Sequence, residues 1–329
     1  MKEQIKISYA SAIREAFIYL LDSYPEVFVM GQGVWSPWYV GQSMTDLDKK
    51  YGKSRIIDTP VSEAVVTGAG LGAAISGMKP IIVHPRMDFM LYAIDQIVNQ
   101  AAKWSHMFGG NINNPSLTIR AMINRGGEQG AQHSQALHSW FAHIPGLRVV
   151  MPSSPLDARD LLISSVLSPD PVLYIDDRWL YQEEQMIEHI VEKDLSNEEP
   201  VVLKKGNDLT VVSCGFSTKL ASEAIDKFCC EDVSIELIDL RILNPIKPEI
   251  IFKSISKTKK LLCIDGGWSS CGIASEIISL VCQEMSDVLI SKPRKITLPD
   301  CPAPSVNILE NSYYFNCDDI LEVFSNMLP

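Results

Sequence analysis

Along this chain, short runs of consecutive apolar residues alternate with stretches whose apolar positions recur every three to four residues. In the first such stretch, over residues 11–22, Ile13, Phe17, Leu20 and Leu21 share one face, and the spacing predicts a helix. Val27-Phe28-Val29-Met30, too short for a helix and closed by Gly31, predicts a buried strand. Ile56-Ile57-Asp58-Thr59 predicts another, stopped by Pro60. A helix rich in small residues is predicted over 62–76, a strand over 80–84, a long helix over 89–103 and a strand over 117–121. Strands over 149–152 and 172–175 complete the first block. Strands that alternate with helices argue for a parallel sheet covered on both faces.

The pattern then lapses. Residues 182–207 are rich in Glu and Lys with little periodic apolar signal, and a domain boundary is placed there. A second α/β block follows, with strands over 209–213, 234–240 and 261–265 and helices over 218–228 and 273–282. A chain of 329 residues and 36.6 kDa suits two such domains.

Composition narrows the function classes. Hydrophobic residues at 46% and charged residues at 21% are a globular mix and exclude disorder. A formal charge of −11 opposes nucleic-acid binding, which needs a basic face. No apolar run approaches the roughly 20 residues of a membrane span, and Met-Lys-Glu-Gln-Ile-Lys lacks a secretory core. All eight cysteines follow residue 213, none forms a Cys-x-x-Cys pair, and Cys229 and Cys230 are adjacent. The expectation is small buried hydrophobes in a reducing cytoplasm, with no metal site.

Three constellations could carry chemistry. Glu63 follows Asp58-Thr59-Pro60-Val61-Ser62, where Ser62 is placed to cap the small-residue helix. In that first turn Glu63 reads either as a partner of the helix dipole or as a functional carboxylate. The glycines and alanines behind it permit close approach of another backbone, as at a subunit interface or over a cofactor. His84-Pro85-Arg86-Met87-Asp88-Phe89 follows a buried strand, where open α/β sheets place ligands. It reads either as a solvated loop with local ion pairs or as a site for an anionic or polyhydroxy substrate. His133 follows the loop Gly126-Gly127-Glu128-Gln129-Gly130 and is either structural or a proton donor and acceptor. His138 and His143 come at five-residue intervals, which does not stack them on one helix face, so no metal cluster is expected. Phosphate-loop, dinucleotide and nucleophile-elbow motifs are absent.

Together these residues resemble the beta subunit of the thiamine-diphosphate-dependent 2-oxo acid dehydrogenases, the pyruvate dehydrogenase type within the transketolase superfamily. The resemblance rests on Arg55-Ile56-Ile57-Asp58-Thr59-Pro60-Val61-Ser62-Glu63, Ala93-Ile94-Asp95-Gln96-Ile97-Val98-Asn99 and Ala131-Gln132-His133-Ser134-Gln135. Pro145-Gly146-Leu147-Arg148-Val149-Val150-Met151-Pro152, Asp239-Leu240-Arg241 and Asp265-Gly266-Gly267-Trp268 extend it nearly end to end.

The resemblance implies an α/β fold: a pyrimidine-binding, transketolase-like domain over 1–190, a linker over 191–206 and a smaller transketolase C-terminal-like domain over 207–329. It implies that the chain binds the pyrimidine half of thiamine diphosphate, while a partner alpha subunit binds the diphosphate and Mg²⁺. The Gly-Asp-Gly motif of that second half is absent here. The implied assembly is an alpha2-beta2 heterotetramer with beta self-association and a lipoyl acyltransferase core as a further partner, without nucleic acid or membrane. Glu63 matches the glutamate that activates the aminopyrimidine, and Phe89 the aromatic that packs on it. Val61 and Pro85 match neighbouring pocket positions, and His133 a histidine at the reacting end.

Two departures stand out. Gln32 replaces the first acid of the usual Gly-Glu-Asp-Val segment, here Gly31-Gln32-Gly33-Val34, and an amide cannot relay a proton as a carboxylate does. His84, Arg86 and Asp88 replace an apolar-aromatic run, which makes His84 and Arg86 candidates for contacting a substrate more polar than pyruvate. The expected activity is decarboxylation of a 2-oxo acid with acyl transfer to a lipoyl carrier. The alternatives are half of a split transketolase-like carboligase acting on an aldehyde or sugar precursor, and a non-catalytic scaffold.

Overall fold

A computed structural model describes residues 5–228 and 232–328, so Cys229 and Cys230 lie outside the described residues. The chain divides into two compact units, Met1–Asn124 with Trp140–Glu198, and Arg125–Ser139 with Glu199–Pro329.

In the first unit, strands β1 (Ile5–Ser8), β2 (Val27–Gly31), β3 (Ile56–Asp58), β4 (Lys79–His84), β5 (Thr118–Ile123), β6 (Arg148–Val150), β7 (Val172–Asp177) and β8 (Glu184–Ile187) are formed. Six of them run parallel in the order β6-β7-β5-β4-β2-β3. β5 and β7 are buried along their whole length, as a parallel sheet covered on both faces requires. The helix expected over 11–22 spans Tyr9–Ser23, with Ser8 Oγ accepting from Ser11 N at 3.2 Å as its cap. It packs on the helix Pro155–Leu167, where buried Arg159 reaches Glu15 at 3.4 Å.

Two sequence expectations change. The polar stretch over 182–207 holds β8, which pairs antiparallel with β1, and a further strand, β9 (Val201–Lys204). Both are short and partly exposed, and β9 offers only the three apolar residues Val201-Val202-Leu203 among charged neighbours. The single helix expected over 89–103 is instead a relay of α, 3₁₀ and π turns from Met87 to Met107, with the π stretch at Asp95–Gln100. Side-chain periodicity over six residues cannot separate these hydrogen-bond registers.

The second unit carries β9, β10 (Leu209–Ser213), β11 (Ile235–Asp239), β12 (Ile242–Asn244), β13 (Leu261–Trp268) and β14 (Arg294–Leu298). Its sheet runs β14-β13-β10-β11-β9, parallel except for β9 at the edge. Its core joins Leu209, Val211, Leu237 and Leu262 to Ile320 and Phe324 of the C-terminal helix Cys317–Met327. Among the described cysteines, Cys214, Cys263 and Cys317 are buried, as expected of small hydrophobes, whereas Cys271, Cys282 and Cys301 are exposed, against that expectation. Among the described residues, no helix is long and apolar enough to cross a membrane.

Arg120 and Asp176 form a fully buried ion pair within the first sheet. Arg120 on β5 donates through Nε and Nη2 to Asp176 on β7 at 3.1 and 2.8 Å, and through Nη1 to Ser43 Oγ at 2.8 Å. Tyr181 donates to the same carboxylate at 2.6 Å, and Phe17 lies 5.6 Å from the guanidinium. Desolvation offsets most of such a pair's Coulomb attraction, so its worth is in specifying the packing; removal of one partner is costly because the other charge stays buried. Asp176→Ala is expected to lower stability by about 3–5 kcal/mol, read as a fall in the urea midpoint at constant slope. A change below about 1 kcal/mol would mean that Arg120 finds another partner or reaches solvent.

Candidate active site

The site forms where β2, β3 and β4 end. Gly31 closes β2 opposite Asp58 and Val83. A side chain at Gly31 would place its Cβ 2.4 Å from the Val83 carbonyl oxygen, so only glycine allows the strands this close. Asp58 Oδ1 accepts from Val34 N at 2.9 Å, and Trp35 Nε1 donates to the Ile56 carbonyl at 2.8 Å. These bonds fix the turn that carries Gln32. Gly33 sits at φ +72°, with the Tyr39 ring where a Cβ would stand.

Glu63 opens the helix Glu63–Ile75. Ser62 does not cap it, contrary to expectation: its backbone is non-helical, but its side chain makes no capping hydrogen bond. The carboxylate in the first turn supplies the favourable charge at the exposed N–H groups. Gly70 lets this helix settle on β4, since a Cβ there would lie 2.4 Å from Ile82 Cδ1. One turn before Gly70, Thr67 Oγ1 stands 3.0 Å from Nε2 of His84, the last residue of β4.

His84 is buried, and burial alone pushes its pKa down to about 4. It is therefore a neutral imidazole at physiological pH, able to donate with one nitrogen and accept with the other. The turn after it is held by a chain of side-chain amide contacts. Arg178 Nη1 donates to Asn124 Oδ1 at 3.2 Å, and Asn124 Nδ2 donates to the Pro85 carbonyl at 3.3 Å. Burial raises the Tyr39 phenol above its ordinary pKa while Arg86 and Arg178 oppose the rise. Two guanidinium groups therefore act on the same phenol, and one of them belongs to the pocket.

Gln32, Tyr39, Glu63, His84, Pro85, Arg86 and Phe89 line a single cavity of about 80 Å³. With a water occupying roughly 30 Å³ in the liquid, this is room for a few waters or one small flat ring. A carboxylate, an aromatic face and a neutral imidazole around such a volume suit a polar heteroaromatic ring, so the residues fit the pyrimidine half of the expected cofactor. A larger cavity of about 490 Å³, lined by Arg148, Ser164, Lys193 and Asp194 among others, opens elsewhere in the first unit. It shares no residue with the smaller one and holds neither an aromatic ring nor a histidine among its lining residues.

Of the residues singled out in the sequence, the cavity gathers Gln32, Glu63, His84, Pro85, Arg86 and Phe89. Val61 does not line it and is 67% exposed. His133 lies in the second unit, half-buried in its glycine-rich loop. There, Glu128 N donates to both carboxylate oxygens of Glu310 at 3.2 and 3.1 Å, and Glu128 Oε1 accepts from Asn307 N at 2.8 Å. Sequence reasoning missed Tyr39, Asn124 and Arg178. Tyr39 lies in a Gly-, Pro- and aromatic-rich loop, and only the fold brings the other two near the Pro85 turn.

Residues 5–183 match the family described as transketolase, pyrimidine binding domain, and residues 199–320 the transketolase C-terminal domain. The chain is 33% identical to the beta subunit of an acetoin:2,6-dichlorophenolindophenol oxidoreductase of Bacillus subtilis, over 98% of this chain and 97% of that one. It is 35% identical to the mitochondrial pyruvate dehydrogenase E1 beta subunit of Dictyostelium discoideum (96% and 89% covered). It is equally close to a mitochondrial 2-oxoisovalerate dehydrogenase beta subunit of Arabidopsis thaliana (35%; 90% and 82% covered). Among solved structures, a split-gene transketolase in an inactive beta4 tetramer superposes with a TM-score of 0.78 at 18% identity, over 98% of each chain.

The buried histidine gives the unit a pH signature. An unfolded histidine titrates near 6.5, whereas His84 titrates near 4. The unfolded state therefore binds the proton first as pH falls. Stability is fully present above about 6.5 and declines as pH drops from there toward 4, by on the order of 3 kcal/mol in total. In His84→Gln this part of the acid decline is expected to vanish, which urea midpoints at pH 7 and pH 4.5 would register. An unchanged pH slope in the variant would place the titrating group elsewhere.

Proposed function

We infer, because the chain belongs to the transketolase superfamily and within it to the beta subunits of the thiamine-diphosphate-dependent 2-oxo acid dehydrogenases, that it supplies the activating half of a shared active site. The carrying observation is that Glu63 and Phe89, on two helices separated in sequence by β4, line one ring-sized cavity. When bound, thiamine diphosphate supplies the electron sink for decarboxylation of a 2-oxo acid. The chain's own residues do the rest of what is assigned to it. The Glu63 carboxylate holds a proton against a ring nitrogen of the aminopyrimidine. The Phe89 ring packs on the pyrimidine face, with Pro85 and Gln32 bounding the same region. His133 serves proton transfer to the substrate or to the lipoyl acceptor. The domain division proposed for these roles is 1–190, 191–206 and 207–329.

Diphosphate and Mg²⁺ are assigned to an alpha subunit in an alpha2-beta2 assembly, an assignment that the missing Gly-Asp-Gly motif supports. The outer face of the Glu63–Ile75 helix supports docking of this kind. Val65 is 69% exposed, and Ala69 and Gly72 continue the same face with small residues. Apolar and flat, it suits another subunit's backbone. Acyl transfer from the site to a lipoyl-bearing acyltransferase core completes the reading.

The relatives are named for pyruvate, acetoin and 2-oxoisovalerate, so the choice of substrate falls to the pocket. Neutral His84 and cationic Arg86 on its wall favour a hydroxylated or carboxylated substrate. The same two residues favour a second reading, a carboligase that passes its acyl unit to an aldehyde acceptor.

In the complex with the alpha subunit, Glu63→Ala is expected to slow deuterium exchange at the cofactor's thiazolium carbon by about 10²–10⁴-fold while assembly persists. Unchanged exchange in the assembled variant would overturn the activating role. Product formation that depends on a lipoylated protein separates the dehydrogenase from the carboligase, which needs only the aldehyde.

A further inference from the structure

The second unit brings together three chemistry-bearing side chains from distant parts of the sequence. His138 belongs to the segment Arg125–Ser139, Cys214 directly follows β10, and Asp265 lies within β13. A ring nitrogen, the thiol sulfur and a carboxylate oxygen from these residues all lie within 4.8 Å of one another. All three residues are buried, at 0%, 2% and 1% exposure. None belongs to the cavity around Glu63.

A second observation points to a ligand. His138 Nε2 lies 2.8 Å from Asp265 Oδ1, but its Nδ1 is buried without a hydrogen-bond partner. A buried polar nitrogen in that state costs the protein its desolvation with nothing returned, and native interiors rarely leave one. The surrounding backbone is shaped to leave room at the cluster. A Cβ at Gly267 would stand 3.0 Å from His138 Cε1 and 3.3 Å from both His138 Nε2 and Asp265 Oδ1. A Cβ at Gly272 would stand 3.2 Å from Asp265 Oδ2. The register between β13 and β14 slips between Ile264 and Trp268, at the glycine pair itself. Asp265 Oδ1 is further oriented by Gly267 N at 2.9 Å.

We propose that His138, Cys214 and Asp265 bind a divalent transition-metal ion of the zinc class. The donor chemistry selects the ion. Imidazole, thiolate and carboxylate together suit zinc, whereas magnesium and calcium demand oxygen alone. Metal–ligand distances of 2.0–2.3 Å at tetrahedral angles put neighbouring donors about 3.3–3.6 Å apart. The three donor atoms, all within 4.8 Å of one another, reach that geometry by movements on the order of 1 Å. On binding, the Cys214 sulfur gives up its proton to solvent, and thiolate plus carboxylate neutralise the dication in the buried site. Arg125, whose Nη1 donates to the Gly266 carbonyl at 2.8 Å, adds a positive charge nearby that the two anionic ligands outweigh.

The three protein donors leave one position of a tetrahedron for a water molecule. The ion would tie the segment that carries His133 to the ends of β10 and β13. It therefore acts as a staple for a glycine-rich loop that otherwise rests on hydrogen bonds to the segment around residues 307–310.

The test uses the whole 329-residue chain, purified from zinc-supplemented cells and desalted. About one zinc per chain is expected by elemental analysis, with a fall of roughly tenfold or more in both Cys214→Ser and His138→Gln. Exchange with cobalt(II) is expected to give a near-ultraviolet thiolate-to-metal charge-transfer band in the wild type and none in Cys214→Ser. A wild-type chain with no zinc and no such band overturns the proposal, whether or not the variants fold. A band that persists in Cys214→Ser also overturns it, because the metal then sits on another cysteine.

Discussion

The carboxyl ends of β2, β3 and β4 must stop side by side for one cavity to exist, and parallel register enforces this. Gly31 pairs with Asp58 on one side and Val83 on the other, so Gln32, Glu63 and His84 each leave the sheet within a few residues of one level. The constraint is steric at its root. Two glycines, Gly31 under the Val83 carbonyl and Gly70 over Ile82, set the distances from strand to strand and from helix to sheet. Thr67, one turn from Gly70, then meets His84, and the burial that keeps this imidazole neutral follows from the same close packing. The buried Arg120–Asp176 pair fixes β5 against β7 one strand further in, next to β4.

Much of this was legible in the sequence because the signals were local. Apolar runs ended by glycine or proline marked β2, β3 and β4, and the residues just after each run are those that line the cavity. Position marked Glu63, His84 and Arg86 as candidates with a structural reading still open, and the family resemblance supplied the pocket roles of Glu63 and Phe89. The supports could not. Asn124 and Arg178 reach the Pro85 turn only because β5 and β7 are neighbours. Strands β1 and β8 escaped notice because an edge ribbon with one exposed face carries half the apolar signal of a buried strand. Ser62 had the residue type of a cap without the geometry of one, and Glu63 supplies the helix start with charge instead.

The histidines show the limit most clearly. Their five-residue spacing argued against a metal cluster on one helix face. His138 instead finds its neighbours at positions 214 and 265, drawn together by the parallel neighbours β10 and β13. Sequence spacing reports ligand sets built on one element and is blind to those assembled by a sheet. The two units thus divide the chemistry: the first holds a ring-sized cavity with a carboxylate, the second a histidine-bearing loop and the buried cluster that anchors its base.

The central claim is that this chain holds only half of a cofactor site. Calorimetric titration with thiamine diphosphate and Mg²⁺, on the chain alone and on the chain mixed with its alpha subunit, tests that claim most directly. The account predicts weak or undetectable binding to the chain alone and saturable binding, one cofactor for each pair of subunits, in the mixture. Tight, Mg²⁺-dependent binding to the chain alone would contradict it, because a diphosphate site would then have to lie within these 329 residues.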